Sequence, residues 1–163
     1  MEFGELVKRF AAAAASGNGE ALADLFTADG TYDDYFFGPS AGREAIKTML
    51  AHFGEGGRNF RWEFFDPVVN GTTGYAWSLS SFTSLVPQFK GQFVVIDGIS
   101  RFTLRDGLIA EYRESVNGGV AMAQLGVEGE RMAKIMTRWS GWLKDRPETK
   151  EFLKRSAGWR TRK

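Results

Sequence analysis

Asp34 is the residue of this chain whose type and surroundings best suit chemistry. It ends the stretch Thr31-Tyr32-Asp33-Asp34, which follows a helical pattern and places a carboxylate among aromatic residues. A carboxyl group against apolar walls is costly to ionise unless a partner or a chemical role compensates for the lost water. We therefore expect Asp34 to be an acid or base in an apolar pocket, or else a structural hydrogen-bond acceptor.

Glu114 is the second candidate for acid/base chemistry. It follows Tyr112 by two residues on a predicted strand, so both side chains point to one face. If Asp34 and Glu114 lie within several ångströms of each other, they cannot both ionise cheaply, and the pKa of one rises toward neutrality. Such a pair can shuttle a proton, which suits an isomerase, a dehydratase or an aldol-type cyclase. The alternative is that Glu114 faces the solvated rim of the sheet and takes no part in chemistry.

Strand parity predicts the walls of a pocket around these two carboxyl groups. The predicted wall residues are Tyr32, Trp77, Leu79, Ile96, Gly98, Ser100, Phe102, Tyr112 and Val116. A mostly apolar and aromatic lining with a few polar groups is typical of a site for a small apolar or aromatic molecule. Gly98 is expected to widen the pocket. The alternative is that Tyr32, Trp77 and Tyr112 are only core or wall residues.

The opposite face of the predicted sheet carries other charged residues. Arg101, Arg113, Asp97 and Glu111 alternate onto it, and we expect cross-strand ion pairs or a dimer contact there. Asp33 points away from Asp34 and is expected to be solvated.

Composition excludes several classes of function. The chain has 163 residues and a formal net charge of +1. It therefore shows neither the excess positive charge of a nucleic-acid-binding protein nor an acidic tail. No apolar run approaches the ~20 residues of a membrane helix, so we expect no membrane association. The absence of cysteine excludes disulfides and thiolate chemistry, and Met1–Glu5 carries acids where a secretory signal has Lys or Arg. We expect a cytoplasmic protein.

Metal and cofactor chemistry is not expected either. His52 is the single histidine, and its position on a predicted helix lies away from the apolar stripe, at the surface. One histidine without cysteine supplies too few soft ligands for a metal site. We therefore expect no metal and no cofactor.

The elements that must position these residues follow from periodicity and turn residues. Two short helices are expected before residue 27, a strand at Thr31–Phe37, and a third helix capped by Ser40 and presenting Ile46 to Phe53. A β-meander follows, with strands at Asn59–Val69, Tyr75–Leu85, Phe93–Leu104 and Leu108–Val116, and with turns at Asn70-Gly71 and Asp106-Gly107. A late helix then carries one apolar stripe, formed by Met132, Ile135, Met136, Trp139, Trp142 and Leu143.

This order predicts an α+β fold in which a cone-like, strongly curved, mostly antiparallel sheet wraps a helical hairpin and a third helix. We expect one domain over residues 1–126, with residues 127–163 as a C-terminal helical extension of that domain. The stripe of the late helix caps the pocket mouth, packs on the sheet or exchanges with a partner subunit. An open sheet face makes a homodimer the default expectation.

The chain resembles SnoaL-like members of the nuclear transport factor 2 superfamily, which includes ketosteroid isomerases, limonene-type epoxide hydrolases and polyketide cyclases. The segments that carry the resemblance are Leu25–Gly30, Gly42–Ile46, Asp106–Tyr112 and Gln124–Gly126. The resemblance implies the cone fold and places Asp34 at the position of the isomerase general base.

The chain departs from both enzyme patterns. Phe10 and Ser100 stand where the isomerases have their two oxyanion donors, so efficient enolate stabilisation by that route is not expected. Tyr75-Ala76-Trp77-Ser78 stands where the hydrolases have an Arg-x-Asp pair, so their water-activating relay is absent, although Tyr112 and Glu114 fit its last piece. Three functions stay open: an enzyme with Asp34 as base, a non-catalytic ligand-binding domain, and an interaction domain with a filled interior and an exposed apolar patch.

Overall fold

The structure is a computed structural model that describes residues 1–155. The chain divides into two compact units, residues 1–126 and residues 127–163. The end of the predicted C-terminal extension, residues 156–163, lies outside the described residues.

The first unit contains six strands and four helices. Its elements in chain order are α1 (Phe3–Ser16), α2 (Gly19–Ala23), β1 (Phe26–Asp34), β2 (Gly38–Ala41), α3 (Arg43–Gly56), β3 (Gly57–Asn70), β4 (Thr73–Ser84), a 3-10 turn (Pro87–Phe89), β5 (Phe93–Arg105), β6 (Leu108–Val116) and α4 (Gly118–Leu125). The six strands form one sheet in the order β2-β1-β6-β5-β4-β3. Strands β1 and β6 run parallel and the other neighbours run antiparallel, which confirms the predicted α+β class.

The core lies between the inner face of the sheet and the helices. The first helix contributes Phe3, Leu6, Val7 and Phe10 to it at helical spacing. The third helix adds Ile46, Met49 and Leu50, while its His52 is exposed, as expected. The sheet contributes Phe26, Tyr32, Ala76, Phe102, Ile109 and Tyr112.

The segment between β1 and α3 differs from the prediction. Residues 35–37 form a turn, and Gly38–Ala41 returns as a strand antiparallel to β1. Pro39 is tolerated because β2 is an edge strand, where a missing backbone N–H breaks no ladder. Ser40 is therefore a strand residue, and Gly42, with a φ of 83°, is the N-cap of α3 instead.

The β-meander formed as predicted, with the expected Asp106-Gly107 turn, whereas the first turn is formed by Gly71 and Thr72, one residue later than expected. Asp106 and Gly107 have φ values of 54° and 77°, the left-handed conformation that a two-residue hairpin turn needs. Gly71 also has a positive φ, of 57°.

The second unit contains α5 (Gly129–Asp145) and α6 (Pro147–Arg155). The predicted stripe lies on α5, and none of its residues is fully buried within the described part of the chain. No helix among residues 1–155 combines the length and the apolar character that crossing a bilayer demands.

Candidate functional site

Asp34 and Glu114 lie at neighbouring positions on the two parallel strands of the sheet. In the register of β1 and β6, Tyr32 is opposite Tyr112 and Asp33 is opposite Arg113. Side chains alternate between faces, so Asp34 and Glu114 follow Tyr32 and Tyr112 on the inner face. Both carboxyl groups are buried, with 5% and 8% of their residue surfaces exposed. Tertiary structure thus brings together two acids that are 80 positions apart in the sequence.

Asp34 holds the turn that follows it. Its Oδ1 accepts hydrogen bonds from the backbone N–H groups of Phe36 and Phe37, at 2.8 and 2.9 Å. Asp side chains commonly bond the backbone two residues ahead in this way and so stabilise turns. Asp34 is therefore a structural hydrogen-bond acceptor, the alternative to a catalytic role, and this contact uses its Oδ1 atom.

Glu114 ends a chain of hydrogen bonds between strands. Tyr112 donates its hydroxyl hydrogen to Glu114 Oε2 at 2.9 Å, and Ser100 Oγ lies 2.9 Å from the same Tyr112 hydroxyl. Since Tyr112 has one hydroxyl hydrogen and gives it to Glu114, Ser100 is the donor to Tyr112. The backbone N–H of Tyr35 donates to Glu114 Oε1 at 3.3 Å. Both oxygens of Glu114 are therefore oriented by fixed donors.

Burial raises the pKa values of the two acids by different amounts. Burial raises the pKa of Asp34 to about 6, although the hydrogen bonds from Phe37 and Phe36 oppose the rise. Burial and the charge of Asp34 raise the pKa of Glu114 to about 8. At neutral pH the pair therefore holds one proton, mainly on Glu114, and one negative charge, mainly on Asp34. A shared proton between two such groups is suited to general acid–base chemistry.

No cation compensates for this charge among the described residues. The charged groups next to them in the sequence pair on the outer face, where Arg113 Nε contacts Asp33 Oδ2 at 2.9 Å. Arg113 also pairs with Glu111 of its own strand at 3.2 Å, and Arg101 of β5 contacts Glu111 at 4.0 Å. The Arg113–Asp33 and Arg101–Glu111 contacts agree with the expected cross-strand ion pairs. The expectation that Asp33 is solvated was wrong, because Arg113 and the neighbouring strand cover it.

The interior beside the rings of Tyr32 and Tyr112 is filled by other aromatic rings. Phe10 is fully buried and contacts the rings of Tyr32 at 5.8 Å and Tyr112 at 4.6 Å between centroids. On its other sides Phe10 meets Trp62 and Phe64, both at 5.7 Å. The interior around Phe10 is thus packed, as the interaction-domain hypothesis predicted. Trp62 and Phe64 were missed from sequence, although with Phe60 they alternate along β3 as inward residues do.

Two predicted wall residues face the other way. Trp77 and Leu79 are 44% and 40% exposed, whereas Ala76 and Ser78 between and beside them are buried. The reason is register, because Ala76 pairs with Ser100 and Ser78 with Gly98, which are inner-face positions of β5. The inward placement of Trp77 and Leu79 was therefore wrong.

The other predicted wall residues occur on the inner face, but Gly98 has a different role from the expected one. Ser100 and Phe102 are buried, whereas Ile96 and Val116 are half-buried. A Cβ atom on Gly98 would lie 2.7 Å from Val116 Cγ1 and would also clash with the backbone of β6. Gly98 is thus required for close strand packing rather than for a wider pocket.

Two buried polar atoms near this region have no hydrogen-bond partner among residues 1–155. They are the hydroxyl of Tyr32 and the indole Nε1 of Trp62. In the same part of the chain no three His, Asp or Glu side chains come together as metal ligands.

The curved, mostly antiparallel six-stranded sheet with helices packed on its inner face is an α+β fold, and the comparisons with known proteins agree with it. Residues 7–112 match the SnoaL-like domain family, and the chain belongs to that family. The resemblance to the nuclear transport factor 2 superfamily is thereby confirmed. Comparison with curated proteins gives no match.

Several solved structures share the fold. A hypothetical protein with a ketosteroid isomerase-like fold from Catenulispora acidiphila, in complex with trimethylamine, is 23% identical with a TM-score of 0.71, over 79% of this chain and 98% of that chain. A candidate polyketide cyclase from Xanthomonas campestris is 23% identical with a TM-score of 0.62, over 75% and 95%. An epoxide hydrolase of M. tuberculosis, similar to the limonene type, is 13% identical with a TM-score of 0.62, over 82% and 94%.

Proposed function

We propose that this protein binds a small apolar or aromatic molecule and that Asp34 and Glu114 act on it as an acid/base pair. The observation that supports the proposal most is the pair itself: two buried carboxyl groups on one face, with pKa values of about 6 and about 8. Structural neighbours include a candidate polyketide cyclase and an epoxide hydrolase. This similarity favours an isomerase, dehydratase or cyclase that acts on a carbonyl or polycyclic substrate.

Each carboxyl group has its own role in this proposal. Asp34, ionised at neutral pH, removes a proton from a carbon next to a substrate carbonyl. Glu114, protonated at the same pH, gives its proton to the carbonyl oxygen, so an enol forms and no net charge is created. The reverse transfers complete an isomerisation or an exchange. No cofactor is needed for these steps.

The enzyme differs from the ketosteroid isomerases in how it treats the oxyanion. Ser100, at the position of one isomerase donor, donates to Tyr112 and not into open space. Phe10, at the position of the other donor, has no hydrogen to give. Protonation by Glu114 replaces oxyanion hydrogen bonds in this proposal, and we expect a slower enzyme, since each lost oxyanion donor costs about 3 kcal/mol of barrier.

Hydrogen exchange of a simple ketone tests the acid/base proposal without knowledge of the natural substrate. The probe is β-tetralone in heavy water, with deuterium entry next to the carbonyl followed by NMR. We expect the wild-type protein to accelerate entry above buffer, and Asp34→Asn to lower this rate about 10²-fold or more. The rate should rise with pH through about 6, as Asp34 ionises, and fall above about 8, as Glu114 loses its proton.

Asp33→Asn is the matched control, because Asp33 lies on the same strand but on the outer face, against Arg113. It should still exchange the probe well above the buffer rate, with a pH optimum displaced slightly downward because the charge of Asp33 helps to raise both pKa values. A wild-type rate equal to buffer, or an unchanged rate in Asp34→Asn, would contradict the catalytic proposal.

A second function, ligand binding without chemistry, is favoured by one specific observation. The Asp34 Oδ1 atom is committed to the backbone of residues 36 and 37, as in a purely structural turn. In that case the protein binds β-tetralone, detected by changes in the protein's own NMR spectrum, and deuterium entry proceeds at the buffer rate.

We also propose that the protein is a homodimer through the outer face of its sheet. Exposed apolar side chains cover that face on three neighbouring strands: Phe65, Tyr75, Trp77, Leu79, Val95 and Ile99. An exposed apolar face of this kind marks an interaction surface.

Charge complementarity favours a second copy as the occupant of this outer face. On β5, Asp97 and Arg101 flank Ile99 on the same face, one on each side. A two-fold axis through Ile99 reverses the strand direction in the partner, so that Asp97 of each copy meets Arg101 of the other. The same axis stacks the apolar residues of the two copies on each other.

A further inference from the structure

Tyr32 has a buried hydroxyl group that nothing in the described chain satisfies. The residue is fully buried, and its Oη makes no hydrogen bond of good geometry with residues 1–155, although the Tyr112 hydroxyl lies near enough to interact with it. Leaving a buried hydroxyl unpaired is costly, whereas a phenylalanine would fill nearly the same volume without that cost. A hydrogen-bond acceptor from outside the described chain would remove this cost.

The neighbouring tyrosine shows the contrast. Tyr112 packs against Tyr32 with 4.5 Å between ring centroids, and it is equally buried. Its hydroxyl, however, accepts from Ser100 and donates to Glu114. Of two adjacent buried phenols, one is fully engaged by the protein and the other is not.

The unengaged hydroxyl belongs to the same site as the two carboxyl groups. Tyr32 precedes Asp34 by two residues on the inner face of β1, and it lies opposite Tyr112, which contacts Glu114. Burial raises the pKa of Tyr32 well above its usual value, and the nearby acidic groups, Tyr112, Glu114 and Asp34, raise it further. The phenol is therefore a neutral donor at any physiological pH.

We propose that Tyr32 Oη donates a hydrogen bond to a neutral oxygen atom of the ligand that binds beside Asp34 and Glu114, and that it thereby determines selectivity for oxygen-bearing aromatic ligands. The proposal rests on the proposed ligand-binding function and adds a contact residue and a ligand class to it. Tyr32 is a specificity residue here, and the acid/base steps do not need its proton.

The charge of the site limits which oxygen can be the acceptor. A carboxylate or phosphate group next to the phenol would also face Asp34, which is ionised at neutral pH, with no cation of the described chain to offset the repulsion. A carbonyl, ether or phenol oxygen meets no such repulsion. The ligand class is therefore a neutral aromatic molecule with at least one such oxygen.

Two probes of nearly equal shape test this proposal. Methyl naphthyl ketone carries a carbonyl oxygen where isopropenylnaphthalene carries a CH₂ group. Dissociation constants are measured for both by NMR titration of the full-length protein. We expect the ketone to bind the wild type about tenfold more tightly than the alkene, and Tyr32→Phe to remove this difference while binding of the alkene is unchanged.

Tyr75→Phe is the matched control, since it removes the same hydroxyl from an exposed tyrosine on the outer face. It should keep the tenfold preference. Tyr32→Phe should also unfold in urea at the same or a higher denaturant concentration than the wild type, because it removes an unpaired group.

Three results would overturn the proposal. The first is an equal ketone preference in Tyr32→Phe and the wild type. The second is a lower urea midpoint for Tyr32→Phe with unchanged probe affinities, which would show that the hydroxyl is bonded within the fold, for example to a buried water. The third is equal binding of the two probes by a wild-type protein that still exchanges β-tetralone, which would overturn the Tyr32 proposal but leave the proposed function standing. A wild-type protein that binds neither probe and exchanges no deuterium would contradict both the Tyr32 proposal and the proposed function.

Discussion

Asp34 and Glu114 carry the same functional group, but their hydrogen-bond donors differ in kind. Asp34 accepts from the backbone of its own turn, so its ionised form organises residues 35–37. Glu114 accepts from Tyr112 and from the backbone of Tyr35, which belong to its own strand and to the turn after β1. Replacing Asp34 therefore changes a local turn, whereas replacing Glu114 changes the contact between two strands.

The raised pKa of Glu114 makes stability depend on pH. Its pKa is about 8 in the folded protein against 4.5 for the free group, so the folded state holds a proton that the unfolded state has lost between these values. The contribution of the protonated Glu114 to stability is therefore fully present below pH 4.5 and is lost as pH rises toward 8. We expect Glu114→Gln to be more stable than the wild type near pH 8, by roughly 2–4 kcal/mol, and equally stable near pH 4.

Urea unfolding at several pH values measures this effect. Glu111→Gln, on the same strand but on the outer face and partly exposed, serves as the control and should show no such trend. A stability difference between Glu114→Gln and the wild type that is independent of pH would refute the assignment.

At the scale of elements, helix α4 supplies hydrogen bonds to β5 beyond the end of β6. Strand β6 stops at Val116, opposite Gly98, so the backbone of β5 before that point lacks a neighbour on this side. Gln124 of α4 replaces the missing strand, since its Oε1 accepts from the N–H of Val95 at 2.9 Å and its Nε2 donates to the Val95 carbonyl at 2.8 Å. A side-chain amide has the same donor and acceptor as a peptide group, which explains the fit.

Gln124→Ala should therefore open this edge of β5. We expect the amide hydrogen of Val95 to exchange with solvent at least tenfold faster, with a loss of about 1 kcal/mol in unfolding free energy. Hydrogen exchange by NMR gives the result directly, and Gln92→Ala, in the loop before β5, is the control. Unchanged protection of Val95 in Gln124→Ala would show that its amide does not depend on this contact.

At the scale of the whole molecule, the outer sheet face predicts self-association that depends on charge. In the proposed dimer, Asp97→Lys and Arg101→Glu each place like charges together at both symmetric contacts. We expect each single change to weaken the dimer about tenfold or more, and the double variant to restore it. Sedimentation velocity over a range of concentrations measures this.

Glu55→Lys, an exposed charge reversal on α3, is the control for the change in net charge and should leave the dimer intact. A wild-type protein that stays monomeric at high concentration would rule out this dimer, and a double variant weaker than both single variants would rule out the Asp97–Arg101 contact.

Local sequence determined most of the secondary structure. Helical periodicity placed α1, α3 and α5, and the Asn-Gly and Asp-Gly pairs placed the meander turns, because these signals act over a few neighbouring residues. Strand β2 was missed, since Pro39 is a poor strand residue except at a sheet edge, and edges are decided by long-range pairing. The first strand also begins and ends earlier than the expected Thr31–Phe37, at Phe26–Asp34. The family segments, likewise local, were sufficient to indicate the fold.

The tertiary structure alone decided how the site is assembled. Strand register inverted the expected orientation of Trp77 and Leu79, since a shift of one residue moves every side chain to the opposite face. The aromatic packing around Phe10 and the unpaired Tyr32 hydroxyl depend on contacts among five elements. Sequence could name Asp34 and Glu114 as acids, but their shifted pKa values arise from burial and mutual repulsion, which exist only after the chain has folded.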